Sequence, residues 1–146
     1  LYVIPDYYAN YPKPCMGGWG NRTLIITPNG EGLPCQAAMA IPGLEFGNVR
    51  DRALEWIWFE SEGMNRFRGT SWMPEPCQSC DRKMLDWGGC RCQAFLLTQD
   101  AIATDPVCQL SPHHAQIQSR LDQIPEQREA FVYRSSGTIA PSHQTF

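Results

Sequence analysis

The segment from residue 77 to residue 92, CQSCDRKMLDWGGCRC, holds four of the chain's seven cysteines. Thiolates are the usual protein ligands of structural zinc and of iron–sulfur clusters, and a single four-coordinate site needs only four of them. That leaves Cys15, Cys35 and Cys108 without a role, and it leaves Asp86 inside the cysteine run. Two four-ligand centres need eight groups, a number that seven cysteines and one further group would supply.

The spacing of the cysteines limits how they can share a centre. Cys77 and Cys80 form a CxxC pair, whose tight turn can direct two sulfurs at one metal. Cys90 and Cys92 form a CxC pair, whose side chains would point about 200° apart in a helix. In an extended strand they would share one face, with Cα atoms roughly 7 Å apart. We therefore expect extended backbone here, aided by the two preceding glycines.

The spacing alone leaves the role of Asp86 and the kind of metal open. A carboxylate at Asp86 could reach a metal that Cys77 and Cys80 already hold, but a solvated aspartate on a polar loop has about even odds. A single structural zinc bound by the CxxC and CxC pairs leaves three cysteines unexplained. Iron–sulfur clusters use the same ligands and favour glycine-rich surroundings, as in CMGGWG and DWGGC. Disulfides rank last, because seven cysteines is an odd number and no secretory signal is evident.

Composition narrows the class of protein. The 146 residues fit one domain, but 12 Gly and 12 Pro interrupt the apolar sequence, so we expect metal or sulfur cross-links to supply much of the stability. A net charge of -3 and a pI near 5.5 disfavour nucleic acid as a partner. Apolar runs are too short to span a membrane, and the first residues do not resemble a signal peptide. We expect a cytoplasmic protein, and, since the first residue is not Met, a piece of a longer one.

The elements that must position these cysteines are short. We predict a small α+β fold stabilised by metal clusters, with a β-hairpin followed by short helices and cysteine-rich loops. The β-branched run Thr23–Thr27 predicts a strand, Pro28-Asn29-Gly30 a turn, and the chain would return to Cys35, near Cys15.

Helical spacing appears in four places. Asp51 is a candidate N-cap for a helix whose apolar face repeats at Leu54, Ile57, Trp58 and Ser61 and which Gly63 interrupts, and we expect its aromatic residues to be core. The other predicted helical segments are residues 64–69, a short helix around Gln93–Leu97, and a helix after Pro112 marked by Ile117, Leu121 and Ile124 that ends at Pro125. Residues beyond Arg134 read as a polar, mobile tail.

The cysteine pattern resembles the SPASM domain, the auxiliary-cluster module of radical S-adenosylmethionine (SAM) enzymes that modify peptides and proteins. That signature runs C-x9–15-G-x4-C, then C-x2-C-x5-C-x3-C, then a last C. Cys15, Gly30 and Cys35 satisfy its first half. Its second half is matched by Cys77, Cys80, position 86, Cys90 and Cys108, with Asp86 in place of the third cysteine of the run. The resemblance covers about residues 11–111.

The wording YPKPCMGGWG, IPGLEF, DWGGCRCQA and ATDPVC resembles one branch of that family, the peptide cyclases of pyrroloquinoline quinone biosynthesis. This resemblance implies two auxiliary clusters. The first, 2Fe-2S or 4Fe-4S, would be held by Cys15, Cys35, Cys90 and Cys92. The second, 4Fe-4S, would be held by Cys77, Cys80, Asp86 and Cys108. It also implies a layout in which residues 1–10 connect to a missing N-terminal radical SAM barrel, residues 11–111 form the SPASM domain, and residues 112–146 form a C-terminal helix and mobile tail.

The resemblance implies a function for the parent enzyme. Such an enzyme cleaves SAM at a further 4Fe-4S cluster bound by a CxxxCxxC loop, and joins glutamate and tyrosine side chains of the PqqA precursor peptide. Its implied partners are PqqA, the chaperone PqqD and an electron donor such as flavodoxin. Because CxxxCxxC does not occur in these 146 residues, we expect this chain to be inactive alone, with no catalytic or SAM-binding residue of its own. The alternatives are a zinc-stapled interaction module and a free-standing ferredoxin-like carrier.

Residues near the ligands carry weaker expectations. Gln36 and Gln99 stand where the resemblance predicts histidine and glycine. Arg91 could offset cluster charge or face solvent. We expect Trp19 and Trp87 to shield the clusters, and His113 and His114 to be exposed rather than to touch one.

Overall fold

The computed structural model describes residues 11–123, which form a small α+β fold with few regular elements. Two short strands pair as a hairpin, and five helices of four to eight residues follow it. The elements are β1 (Ile25–Ile26), β2 (Gly32–Leu33), α1 (Leu54–Phe59), α2 (Glu62–Asn65), α3 (Lys83–Asp86), α4 (Arg91–Thr98) and α5 (His114–Leu121). Two 3₁₀ turns, Cys15–Gly17 and Ala38–Ala40, flank the hairpin.

The predicted hairpin is confirmed, although its strands are shorter than the β-branched run suggested. β1 and β2 are antiparallel, with Ile25 opposite Leu33. Gly30 closes the turn with φ 93°, and a Cβ atom there would lie 2.6 Å from Asn48 Oδ1. Asn48 in turn donates its side-chain amide to Asn29 O. The hairpin end is therefore clamped by a loop that only glycine can approach so closely.

The first predicted helix forms, but its predicted start at Asp51 is wrong. Asp51 lies in an exposed turn in which its N–H donates to Asn48 O, and the N-cap position is Ala53. Gly63 does not interrupt a helix but lies inside α2, where a Cβ would be 2.4 Å from the Phe46 ring. The break falls at Glu60 and Ser61 instead, and it lets the chain turn into α2.

The apolar face of α1 is only partly in the core. Ile57 is fully buried and Ser61 donates its hydroxyl to Ile57 O, whereas Leu54 and Phe59 are more than half exposed. The expectation that the aromatic residues of this segment are core is therefore wrong for Trp56 and Phe59, which are both exposed. Six residues give too few turns for every apolar position to face inward.

The main core packs around cysteines as well as hydrocarbon side chains. Trp19, Leu33, Phe67 and Ala101 are buried together with Cys35 and Cys92, and Cys90 packs against this group from outside. Trp19 donates its indole N–H to Gly63 O and meets the Phe67 ring edge-to-face. The hairpin, α2 and α4 are thus joined at a place where the side chains include thiols.

The predicted short helix near Gln93 is confirmed as α4, and the predicted helix after Pro112 as α5. Ile117 is the buried residue of α5. The predicted end at Pro125, the polar tail and the connector at residues 1–10 lie outside the described residues. No helix within residues 11–123 is long and apolar enough to cross a bilayer.

Candidate metal centres

Four cysteines from three distant segments meet in a closed ring, here called the sulfur quartet: Cys15, Cys35, Cys90 and Cys92. The sulfurs of Cys35 and Cys92 lie 3.7 Å apart. Cys15 hydrogen-bonds with Cys35 and with Cys90. Cys92 also hydrogen-bonds with Cys35 and with Cys90, which closes the ring. Cys15 lies in the 3₁₀ turn before the hairpin and Cys35 lies two residues after β2, whereas Cys90 and Cys92 lie at the start of α4.

The four thiols titrate as one coupled group. Hydrogen bonds with Cys15 and Cys92 lower the pKa of Cys35 and of Cys90, and the same contacts raise the pKa of Cys15 and of Cys92. Either sulfur of the Cys35–Cys92 pair can be the donor.

The CxC pair meets in a way that differs from the expected extended strand. Cys90 is extended, with φ -89° and ψ 113°, but Arg91 and Cys92 are the first residues of α4. Because Cys90 occupies the N-cap position, its side chain is not bound by the 100° step of a helix. The two sulfurs therefore meet although only Cys90 is extended, so the expectation that the whole CxC pair must be extended is wrong.

The remaining four predicted ligands line one cavity, here called the carboxylate pocket: Cys77, Cys80, Asp86 and Cys108. The pocket holds about 300 Å³ of space between atoms, including its open mouth. The rest of its wall is formed by Pro12, Pro76, Lys83, Gly88, Thr104 and Leu110. Cys77 donates to Thr104 Oγ1 at 3.6 Å. Burial raises the pKa of Cys77 and of Cys108.

Asp86 is not a solvated loop residue. It ends α3 and is 8% exposed. Burial raises the pKa of its carboxyl group, while the Gly88 N–H and the charges of Arg82 and Arg91 oppose that shift. The reading of Asp86 as a surface aspartate is therefore wrong.

Backbone N–H groups point at the donor atoms of both groups in a repeated pattern. Asp86 Oδ1 accepts from Gly88 N at 3.0 Å, and Cys80 Sγ accepts from Arg82 N at 3.4 Å, each two residues on. The N–H groups of Ala37, Gln93 and Leu110 also lower the pKa of the cysteines two or three residues before them, Cys35, Cys90 and Cys108. Such hydrogen bonds to ligand atoms are a known lever on iron–sulfur potentials, so the donor set fits such a group.

Within residues 11–123, no group of three or more His, Cys, Asp and Glu side chains is already arranged around a point where a metal ion would sit. The seven described cysteines form no disulfide.

A buried aspartate that the sequence reasoning missed joins the two groups. Asp105 is 1% exposed and accepts from Cys90 N at 2.7 Å, from Val107 N and from the Gln93 amide. A Cβ on Gly89, which has φ 78°, would lie 2.5 Å from Asp105 Oδ2. The DWGG wording carried a weak signal for this approach, since paired glycines often mark a close backbone contact.

The other residues singled out by sequence have mixed outcomes. Trp19 is buried among the core cysteines, and Trp87 packs over Gly18, next to the Cys15 turn. Gln99 ends α4 at φ 62°, the conformation in which glycine is least strained, and its side chain is exposed, as is that of Gln36. His113 and His114 are half-buried rather than exposed, with His114 Nδ1 2.9 Å from Pro106 O. Arg91 is buried, so its expected alternative as a solvent-facing side chain is wrong.

Comparison with known proteins agrees with the donor set. Residues 15–81 match the SPASM family, described as an iron–sulfur cluster-binding domain. A PqqA peptide cyclase of Methylocella silvestris is 57% identical over 144 residues, covering 96% of this chain and 38% of the relative. Those of Methylobacterium nodulans and Xanthomonas axonopodis pv. citri are 63% and 53% identical, each covering 97% of this chain and 35% and 38% of the relative.

The chain spans just over a third of the length of these curated relatives. The match to the family model covers the hairpin, α1 and α2, and the CxxC pair. The similarity to the cyclases runs over nearly all of this chain. The chain therefore contains a SPASM iron–sulfur cluster-binding domain and is a relative of the PqqA peptide cyclases.

Proposed function

We propose that this chain is the auxiliary iron–sulfur part of a radical SAM peptide cyclase. In this proposal the sulfur quartet holds one cluster, 2Fe-2S or 4Fe-4S, and the carboxylate pocket holds a second, 4Fe-4S. The SPASM domain spans about residues 11–111, which include both groups. The clusters would supply one-electron transfer near the substrate.

The observation that carries the proposal is the division of the donors into two groups of four. Residues as far apart as Cys15 and Cys92 share one ring of contacts, while Cys77 and Cys108 share a cavity with Asp86. A single zinc ion would use four of these donors and leave the other four without a metal to bind. Seven thiols and one carboxylate in two groups match two centres in number.

The chain's own residues would do three things at these centres. The backbone N–H groups after the ligands donate to the donor atoms and so favour their anionic forms. Trp19 and its neighbours exclude water from the quartet, since they pack around two of its sulfurs. Asp86 offers a hard oxygen donor in an otherwise thiolate set, which makes its metal the more exchangeable.

The substrate and partners follow from the relatives' names and the resemblance, not from contacts in this chain. The relatives are named PqqA peptide cyclases, so we propose that the whole protein acts on the PqqA peptide, joining a glutamate to a tyrosine side chain. SAM and its 4Fe-4S cluster would be bound outside these 146 residues. We propose PqqD and an electron donor such as flavodoxin as further partners.

Paired ligand variants of the protein that carries this chain would test the division into two centres. Cys15→Ser should remove the signal of the first cluster and leave that of the second, and Cys108→Ser should do the reverse. The measurement is anaerobic electron paramagnetic resonance with iron and sulfide analysis. If both variants lost the same signal, or if neither lost any, the two ligand sets would be wrong.

A further inference from the structure

Arg91 is the largest side chain with less than 2% of its surface exposed among the described residues, and the function proposed above does not use it. Its guanidinium lies over the Trp72 ring at 4.6 Å. Nη1 donates to Ala101 O at 3.0 Å and to Ala103 O at 2.9 Å, and Nη2 donates to Gly88 O. Nε is buried and has no partner within residues 11–123.

These contacts place the guanidinium between the two groups of donors. Its backbone stands between two quartet cysteines, Cys90 and Cys92. Its tip binds the carbonyls of Gly88 and Ala103, and Gly88 and Thr104 form part of the wall of the carboxylate pocket. Asp105, the buried aspartate that holds Cys90 N, lies close enough to act on the charge of Arg91.

Every partner that the guanidinium binds directly is a neutral carbonyl or a ring face. An arginine remains charged in proteins, and a buried charge is costly unless anions balance it. The carboxylate of Asp105 acts on that charge through space, and anionic clusters in the two donor sets would stabilise it further.

We propose that Arg91 is a positioning residue whose fixed positive charge is shared by both auxiliary clusters and raises the reduction potentials of both. This inference rests on the proposed function, because it requires that the two donor sets hold clusters.

The sign follows from electrostatics. Reduction adds a negative charge to a cluster, and a nearby fixed cation stabilises the reduced form, most strongly where water is excluded. The contacts of Arg91 put this cation beside both donor sets. Its Nη2 donates to the carbonyl of Gly88, whose N–H donates to Asp86 Oδ1, and its backbone lies between Cys90 and Cys92.

The decisive experiment compares Arg91→Gln with the wild type by anaerobic redox titration of the protein that carries this chain, following each cluster by electron paramagnetic resonance. Arg91→Gln removes the charge and keeps an amide that can donate to a carbonyl. At a fixed poise, the reduced-to-oxidised ratio of both clusters should fall by about tenfold, which is about 59 mV for a one-electron couple. Unchanged potentials, or a shift of one cluster alone, would overturn the inference.

Arg68→Gln is the matched control. Arg68 also stacks on an indole, that of Trp58, and donates to backbone carbonyls, those of Gly20 and Trp58. Burial alone shifts its pKa, and no cysteine acts on it. Arg68→Gln should therefore lower stability without moving either potential. Equal shifts in Arg68→Gln would mean that the effect of Arg91 is only structural.

Arg91→Lys covers the case in which the glutamine variant loses its clusters. Lysine keeps the charge but not the forked donation, so both clusters should form with potentials near those of the wild type. A lysine variant that also loses both clusters would assign Arg91 a structural role and overturn the inference. Wild-type protein without iron would instead remove the proposed function and this inference with it.

Discussion

The carboxylate of Asp86 has the same kind of backbone hydrogen bond as the thiol of a neighbouring cysteine. Its Oδ1 accepts from the N–H two residues on, as Cys80 Sγ does from Arg82. The carboxylate is buried in the same pocket as three cysteines. In the proposed second centre, Asp86 would be the one oxygen donor among three thiolates, which would make that centre chemically distinct from the first.

Asp86→Cys should therefore leave the fold intact and change one centre only. Thiolate is a softer and stronger donor to iron than carboxylate, so the spectrum and potential of the second cluster should change while those of the first stay the same. Electron paramagnetic resonance and redox titration of both proteins would check this. Identical spectra and potentials in the two proteins would count against ligation by Asp86.

Asp105 is a second buried carboxylate, but its role is to hold the chain. Asp105→Ala leaves the donors at Cys90 N, Val107 N and the Gln93 amide without their acceptor, and we expect a loss of about 3 kcal/mol in unfolding free energy. Asp100→Ala is the control, because Asp100 is exposed and accepts from Ile102 N alone. The control should lose less than about 1 kcal/mol in the same denaturant titration. Equal losses in the two variants would contradict this role.

Sequence could single out Asp86 but not Asp105, for a physical reason. Asp86 lies within a run of ligand-type residues whose spacing is itself a signal. The hydrogen bonds of Asp105 depend on Gly89, 16 positions away, because only a residue without a Cβ lets the backbone come so close to the carboxylate. Arg91 was noticed only because it stands between two cysteines. Its guanidinium is buried against carbonyls of residues 101–103, and no local sequence pattern predicts that these residues lie next to Arg91.

At the scale of elements, the hairpin and the start of α4 are the parts that assemble the sulfur quartet. The turn residues made the hairpin predictable, since Asn-Gly after a β-branched run is a strong local signal. Residue type alone misplaced the start of α1, because Asp51 and Arg52 belong to a turn in which both N–H groups donate to Asn48 O, and the helix begins only at Leu54. We expected that the CxC pair could share a centre only in extended backbone. Instead, Cys90 is the extended N-cap residue of α4 and Cys92 lies in its first turn, and this arrangement also brings the two sulfurs together.

Gly30→Ala tests how tightly the hairpin turn is clamped. The new Cβ meets both an unfavourable φ of 93° and Asn48 Oδ1, so we expect a loss of about 2–3 kcal/mol in unfolding free energy. Gly43→Ala is the matched control, because φ there is 77° and nothing lies within 4 Å of the new atom. It should lose only about 1 kcal/mol, the strain of the backbone. Equal losses would mean that the contact with Asn48 contributes nothing.

At the scale of the whole molecule, the cysteines are part of the core. Cys35 and Cys92 are packed with Trp19 and Phe67, and the helices around them have eight residues at most. So few regular elements bury little apolar surface, so bound metal should supply much of the folding free energy. The composition, rich in Gly and Pro, predicts the same dependence on metal but does not indicate which residues would share each centre.

Removing the metal should therefore destabilise the protein strongly. Anaerobic treatment with a chelator and reductant should lower the midpoint of thermal unfolding by well over 10 °C, since a loss of 1 kcal/mol already shifts it by about 4–8 °C in a domain of this size. Far-ultraviolet circular dichroism before and after treatment would measure the change. Superimposable melting curves would mean that the polypeptide holds its fold without metal.

The most direct test of the central claim is the metal and sulfide content of anaerobically purified protein carrying this chain, measured together with its visible absorption spectrum. The account predicts a brown protein without stoichiometric zinc, in which this chain's two centres contribute about six to eight iron atoms and as many acid-labile sulfides, beyond the about four of each in the SAM-binding cluster. A colourless protein with one zinc per chain and no sulfide would contradict it.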